Sequence, residues 1–576
     1  MKKTGIMLAG LACCGAGGVL HGGTLYPIAV GGQSVPDGNG VFSSGGANDF
    51  RAPALNNRGT VTFYANVSGA SGNASSGVFC GVPGLVAQVA RARQQMAVLG
   101  GGQLMPPSDQ SGAINDTGQV AFLSQVPPVG GFTAHAIFRK GPTRDGFRMP
   151  ARSYDPAPGD GSFRLGSVTQ LRPVLGSSGH VAFYADLSGT DGGTADNAGI
   201  FRSDPLADSV VRIAQKGDPV PGGNGTLTPF IETPAINGGG AVAFLASIAG
   251  VAGTGPEAIV RGDGSSLTLI ARTGTLVPGY DPIRHFWSTT QVPINDSGVV
   301  AFAAETTFGG GFEHLLLKGD GTGSLEVVSP PGLSIPGTGR KFGSPTYHVC
   351  LNNAGQIGFV AGSVTDAGQD NRQGLFRDQT LVALVGQTVP GGGGTFTSFN
   401  SPFALNEAGQ MAFKPQLSLN GIPGTSTGLY FWDGSGGLQE IVRYGGSFLG
   451  STITGIDFAG TSVSEVLPSG MKGLNNAGEV AFEFALADGR EGIALWSDLP
   501  KQSTGSGSIA PVAGGFRVRF PGIAGWDYLI ERDDDLLPPW GSPTGAIQAD
   551  ANGWVTFEDL GPGLPARRFY RCFEAP

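Results

Sequence analysis

The stretch PINDSGVVAFAAE, residues 293–305, decides the fold of this chain. Its core is an apolar residue, Asn295, two variable residues, Gly298, one more residue and then Val300-Ala301-Phe302. The pattern occurs eight times. The Asn column runs Asn56, Asn115, Asn237, Asn295, Asn352, Asn406 and Asn475, with Gly176 in its place in the third copy. Three residues on, every copy has glycine: Gly59, Gly118, Gly179, Gly240, Gly298, Gly355, Gly409 and Gly478. Seven residues on, every copy has phenylalanine: Phe63, Phe122, Phe183, Phe244, Phe302, Phe359, Phe413 and Phe482. Successive copies lie 54 to 69 residues apart, near the range in which a fixed period signals a propeller or a solenoid.

Asn at one position and Gly three residues later suit a type I turn, in which the Asn side chain caps its own turn and Gly takes a left-handed exit. The turn reverses the chain between two strands. After the Gly, residues alternate large and small, as in Val300, Ala301, Phe302, Ala303, and in Val181, Ala182, Phe183, where Tyr184 breaks the rule. Period two marks a strand, and here both faces are apolar, so the strand is expected to be covered on both sides. A sheet with bulky residues on one face and Ala on the other nests against its neighbour, each Phe filling the space above a small residue.

Working outward, each copy carries further strands. GIFR at 199–202 and GLFR at 374–377 read as strands, followed by hairpin turns such as Gly262-Asp263-Gly264 and Gly319-Asp320-Gly321. A second strand then leads into a Pro-Gly loop, as in IAQKGDPVPGGNGTL from Ile213. Four short antiparallel strands in about 60 residues make one propeller blade. The repeat region opens on a lone strand at 28–30 and ends on one at 492–496. Pairing these two closes a ring and removes the exposed edges that an open sheet leaves. The expected fold is all-β, an eight-bladed β-propeller over residues 27–498, with a β-solenoid as the alternative. Residues 96–111 and 445–472 depart from the pattern.

Residues 1–25 begin with Lys2 and Lys3 and continue as a small-residue apolar run, GIMLAGLACCGAGGVL. This reads as a secretory signal peptide, too short to span a bilayer. Residues 499–508, with KQSTGSGS, read as a polar linker. Residues 509–576 change vocabulary: strands are expected at 516–520, 528–532, 554–557 and 569–573, a small β-sandwich. Its charged runs, Asp533 to Asp535 and Arg567, Arg568 and Arg571, read as solvated rims.

Composition agrees with export. Charged residues make up 14%, and 100 Gly with 40 Pro are nearly a quarter of the chain, which with regular apolar clusters describes a turn-rich β protein. A net charge of -9 gives no footprint for nucleic acid or an anionic membrane. Beyond Cys13 and Cys14 in the leader, Cys80, Cys350 and Cys572 are too scattered for a disulfide framework or a zinc site.

The motif N-x-x-G-x-V-A-F resembles that of the bacterial tandem-repeat NxxGxxAF proteins of the choice-of-anchor type, exported proteins with varied C-terminal anchors. The resemblance covers residues 27–498. It implies a secreted or surface-displayed repeat protein and carries no activity with it. The tail, with YLIERDDDLLPPW from Tyr528, VTFED from Val555 and RFYR from Arg568, resembles small C-terminal modules of secreted planctomycete-like and verrucomicrobial proteins. It lacks a terminal hydrophobic segment, so no C-terminal anchor is expected.

Chemistry is sparse. Gly424-Thr425-Ser426-Thr427-Gly428 matches a nucleophile elbow, but that motif needs a following helix and a downstream His, and His348 is the last of six. A loop is the expected reading. His21, His135, His180, His285, His314 and His348 fall at no metal-ligand spacing, and read as single surface or pocket residues. Asp-rich turns at 191–197 and at Asp320 offer a Ca²⁺ alternative, but lack the alternating oxygen ligands of a calcium loop. Arg261-Gly262-Asp263 spells an adhesion tripeptide inside an expected hairpin turn. Asp116, Asp296, Glu305 and Glu313 lie near repeat turns, and no catalytic pair is assigned among them. The sequence assigns no catalytic, cofactor or metal residues. It favours a secreted or cell-surface binding scaffold for a glycan or protein, with an extracellular carbohydrate-active hydrolase or lyase as the alternative.

Overall fold

The computed structural model describes the chain apart from residues 1–22, 47–48, 52, 107–111, 142–145, 167–172, 208, 231–232, 252–255, 287–291, 366–367, 369, 401, 420–421, 461–471, 500–506, 534–542, 551, 561–567 and 575–576. Eight antiparallel sheets of four to six strands follow one another along the chain as the blades of a propeller. Blade 3 is representative. Its inner strand is in two pieces, Ser162–Arg164 and Val174–Leu175; both pair with Val181–Ser188, which pairs with Ala198–Ser203 and then the outer strand Val210–Gln215. Blade 6 keeps its inner strand continuous, over Arg340–Leu351.

The Val-Ala-Phe strand is buried on both faces, as its alternation predicts. Val300, Ala301 and Phe302 are all fully buried. Val300 and Phe302 pack with Leu245 and Ile259 of the preceding blade, whereas Ala301 packs with Phe342, Phe359 and Phe376 of the next. The large residue of one blade thus sits over the small residue of its neighbour. In five blades the repeat Phe also stacks on an aromatic of its own third strand, as Phe183 on Phe201 at 5.8 Å and Phe359 on Phe376 at 5.5 Å; in blades 4, 5 and 8 it faces Val260, Leu317 and Ala494. Such aromatic pairs contribute about 0.5–1.5 kcal/mol each beyond their burial. The glycine of GIFR makes room for this ring, since a Cβ on Gly199 would stand 2.8 Å from Phe201.

The ring closes between the chain's two ends. Thr24–Val30 is the outer strand of blade 8, pairing antiparallel with Glu491–Ser497, from Thr24 opposite Ser497 to Val30 opposite Gly492. The strand therefore starts before residue 27 and includes Thr24 and Leu25 of the expected leader; the rest of that leader, through residue 22, lies outside the described residues. Ile453 to Asp457 form the inner strand contact of blade 8, within the stretch whose sequence departs from the repeat.

Beyond the ring, two three-stranded sheets form the C-terminal module: Ser508–Val512, Gly515–Pro521 and Trp554–Leu560 in one, Ile547–Gln548, Asp527–Asp533 and Phe569–Glu574 in the other. Ser508, read as linker, begins a strand. One expected rim residue, Arg568, is also corrected, whereas Arg571 is exposed as expected. Arg568 donates to the buried Asp559 carboxylate at 2.8 Å, together with Tyr570 at 2.8 Å and Arg532. Burial works to raise that carboxyl, but these partners outweigh it and hold it below its ordinary range. Arg571 pairs with Glu531.

Candidate functional site

The Asn turns gather at the centre of the ring. Each Gly amide three residues on donates back to the Asn carbonyl, at 2.9 Å for Gly298 and 3.1 Å for Gly59, and all eight glycines have positive φ between 76° and 94°, a region that side chains disfavour. The Asn Oδ1 accepts from the amide four residues on, at 2.9 Å from Gln356 and 2.9 Å from Glu479. This is the self-capping expected from the spacing.

The other half of the amide does something the spacing does not reveal. Nδ2 crosses to the next blade and donates to the main-chain carbonyl of that blade's own Asn: Asn56 to Asn115 at 3.0 Å, Asn237 to Asn295 at 3.0 Å, Asn352 to Asn406 at 3.0 Å, Asn406 to Asn475 at 2.9 Å. Asn475 returns to Asn56 at 3.0 Å. The two bonds need an acceptor atom and a separate donor atom at the end of one short side chain, which the amide of Asn supplies and a carboxylate or a single hydroxyl does not. At Gly176 the side-chain ring is interrupted.

The residue after each Asn builds a second ring. Asp116 Oδ1 accepts from the Asn57 amide at 2.8 Å, Asp296 Oδ1 from Gly238 at 2.6 Å, and Glu407 Oε2 from Asn353 at 2.7 Å. The Asn476 amide donates to Asn57 Oδ1 at 2.7 Å, closing this ring across the chain ends as well. Together the two rings line a central channel of about 240 Å³. Its throat is formed by the residue before each Asn, a Leu or Ile in every blade from Leu55 to Leu474. The acids Asp116, Asp296 and Glu407 belong to blades 2, 5 and 7, and Lys472 is the cationic side chain of the lining. A carboxylate offers about four lone-pair sites, so after their bonds to the neighbouring blade these groups keep acceptor capacity towards the channel.

The four acids near repeat turns separate in the fold. Asp116 and Asp296 enter the channel ring. Glu305 and Glu313 lie further along the Val300–Phe308 and Gly311–Gly319 hairpin, where Glu305 stands opposite His314 with their side chains 3.7 Å apart. Glu407, which the sequence did not single out, is the third ring acid; its place directly after Asn406 was the available signal.

The histidines are dispersed over several blades. His285 Nδ1 lies 2.9 Å from Glu257, and His180 meets Ser178 at 2.7 Å. His348 is 5% exposed, a core residue and not a surface one, and burial pushes its imidazole down to about 4. Among the described residues, no three His, Cys, Asp or Glu side chains are placed to hold one metal ion. The Asp320 carboxylate caps its own turn through the Thr322 amide and hydroxyl at 2.9 and 2.8 Å. Ser426 is buried within the strand Ile422–Trp432; the expected loop is a strand, and an elbow is incompatible with it. Arg261 and Gly262 of the adhesion tripeptide lie at the end of the strand Glu257–Gly262, and Arg261 donates to Gly298 of the next blade at 2.6 Å.

One further acid stands out at the junction that closes the ring. Burial pushes the Glu483 carboxyl up to about 8, with Asp457 and Glu491 adding to the shift and Arg51 and Lys414 opposing it. Asp457 is its direct cross-strand partner and accepts from Lys414 Nζ at 2.8 Å. A protonated acid beside a lysine-paired carboxylate is the kind of split pair that acid–base chemistry uses.

The model of a family of unknown function (DUF7453) matches residues 18–380 and 250–504, two overlapping spans that cover most of the chain. The chain belongs to this family. No curated protein matches this chain. Among solved structures it is similar to the β-propeller domain of the Trilobed protease from Pyrococcus furiosus, at 8% identity and a TM-score of 0.35, over 69% of this chain and 99% of that one. It is also similar to an α-L-arabinanase of Penicillium chrysogenum, at 15% identity and a TM-score of 0.25, over 58% and 94%. A polysaccharide lyase of the ulvan lyase type is similar at 11% identity and a TM-score of 0.28, over 69% and 95%. The propeller fold of this DUF7453 protein rests on its own sheet order and ring closure. Among its described residues no helix is long and apolar enough to cross a membrane.

Proposed function

We propose that this protein is an exported, non-catalytic binding scaffold whose ligand is a surface glycan taken at the mouth of the central channel. Export rests on the basic and apolar start of the chain and on the resemblance of its repeats to NxxGxxAF proteins. The observation that carries the binding reading is the ring of Asn57, Asp116, Asp296, Asn353, Glu407 and Asn476 around an aliphatic throat. Carboxylate and amide oxygens accept from sugar hydroxyls, while Leu and Ile side chains suit the C–H faces of a sugar ring. The ring acids are tied to main-chain amides of adjoining blades, which suits fixed acceptors better than groups that exchange protons.

The test is retention of the purified protein on a polysaccharide array, with release of reducing ends scored in parallel. Retention without release, weakened about tenfold by Glu407→Gln, is expected, since that change removes a charge-assisted acceptor and keeps the shape. Retention unaffected by Glu407→Gln would move the ligand away from the channel.

A second reading, a carbohydrate-active hydrolase or lyase, is favoured by the Glu483 and Asp457 pair alone. Release of reducing ends that Glu483→Gln abolishes would make that reading primary.

A further inference from the structure

The third strand of each blade carries a position opposite the middle residue of Val-Ala-Phe, which is Thr62 in blade 1 and Gly358 in blade 6. In blades 2, 3, 4 and 6 that position holds an arginine that latches onto the carbonyl of the next blade's turn glycine. Arg139 donates to Gly179 at 2.8 Å, Arg202 to Gly240 at 2.5 Å, Arg261 to Gly298 at 2.6 Å and Arg377 to Gly409 at 2.9 Å. Blades 5, 7 and 8 have Lys318, Phe431 and Leu495 there, by the same register. Blade 1 has Cys80, opposite Thr62, the smallest side chain of the eight, which cannot span to blade 2.

The glycine carbonyl that an arginine at position 80 would reach is that of Gly118. It accepts instead from the indole Nε1 of Trp526, in the C-terminal module, at 3.2 Å. Trp526 is fully buried, and its ring lies 3.7 Å from Lys140 Nζ of blade 2. Cys80 and Trp526 belong to the same buried cluster. The neighbouring Gly525 lies against Arg58 and Thr117, residues of the first two Asn turns, so the module sits across this one junction at the edge of the channel ring.

We propose that Trp526 is the missing latch of the junction between blades 1 and 2, and that the C-terminal module is a structural part of the ring and not a pendant domain. Its indole supplies the donor that arginine supplies elsewhere, from within the same buried cluster as Cys80. The cation over its face holds the ring from the side of blade 2.

Hydrogen exchange of the full chain, resolved by peptide, tests this. Trp526→Ala should speed exchange about tenfold at the blade 1 to blade 2 junction, over Ala113–Ile114 and Val120–Val129, relative to the same strands of blade 4. Trp526→Phe keeps the ring and loses the donor, and should give a smaller rise at the same peptides. Cys80→Arg placed in Trp526→Ala should restore protection there, by rebuilding the latch from within blade 1. Exchange that is unchanged, or that rises equally in every blade, overturns the assignment. So does a Cys80→Arg, Trp526→Ala chain that stays as unprotected at this junction as Trp526→Ala.

Discussion

The side-chain amide of Asn475 donates to the main-chain carbonyl of Asn56 at 3.0 Å, across 419 residues of chain. The same Nδ2 also donates to Glu479 Oε2 at 2.7 Å, while Oδ1 accepts from the Ala477 and Glu479 amides. All four hydrogen-bonding positions of one side chain are therefore used, three locally and one to close the ring. Asn475→Asp puts an oxygen against two acceptors and should cost about 2–4 kcal/mol, more than Asn475→Ala at about 1–3 kcal/mol. Thermal unfolding of the two variants checks the order; an Asp variant as stable as wild type would mean that the closure rests on the outer strand pairing alone.

Gly176 marks the one blade where this bond is not made. A Cβ there would stand 3.2 Å from the carbonyl oxygen of Asn237, closer than most side chains come, so that carbonyl has to shift by a few tenths of an ångström to admit an amide. Gly176→Asn, the change that would restore the repeat, should lower the unfolding temperature by several degrees, equivalent to about 1–2 kcal/mol of overpacking. Stabilisation would show that the junction has room.

Glu483 makes stability fall between pH 4.5 and 8. Its carboxyl is raised from an ordinary value of 4.5 to about 8 in the fold, so between these values the native state holds a proton that the unfolded chain gives up. Stability falls as pH rises through that window. Glu483→Gln should flatten the decline between pH 4.5 and 8, read from unfolding temperature against pH.

His348 acts on the acid side with the opposite sign. Burial lowers its imidazole from 6.5 to about 4, so the unfolded state binds the extra proton. The stability of the neutral buried ring is complete above 6.5 and is lost as pH falls towards 4. His348→Phe should remove that part of the acid limb, and a limb of unchanged slope would assign it to carboxylates instead.

Much of this architecture is local and was legible. The Asn-to-Gly spacing specifies its own turn because every bond of that turn is made within four residues, and the Val-Ala-Phe alternation specifies a strand covered on both faces because side chains in a strand alternate strictly. Eight copies in suitable phase then point to a closed ring, since closing it satisfies the edges that would otherwise be left open.

What the tertiary structure decided is where the remaining valences go. Asn56 Nδ2 finds Asn115, and Asp116 finds Asn57, only once adjacent blades stand side by side around one axis. Residues about sixty positions apart are then hydrogen-bond neighbours, and a position that varies along the sequence becomes a polar ring. Trp526 meets Gly118 across 408 residues, and no local pattern of either segment announces the contact. Periodicity reports the unit and its faces, because those depend on bonds within the unit. The channel lining, the acid pair at Glu483 and the contact of Trp526 with Gly118 depend on how units meet, which the packing of the closed ring settles.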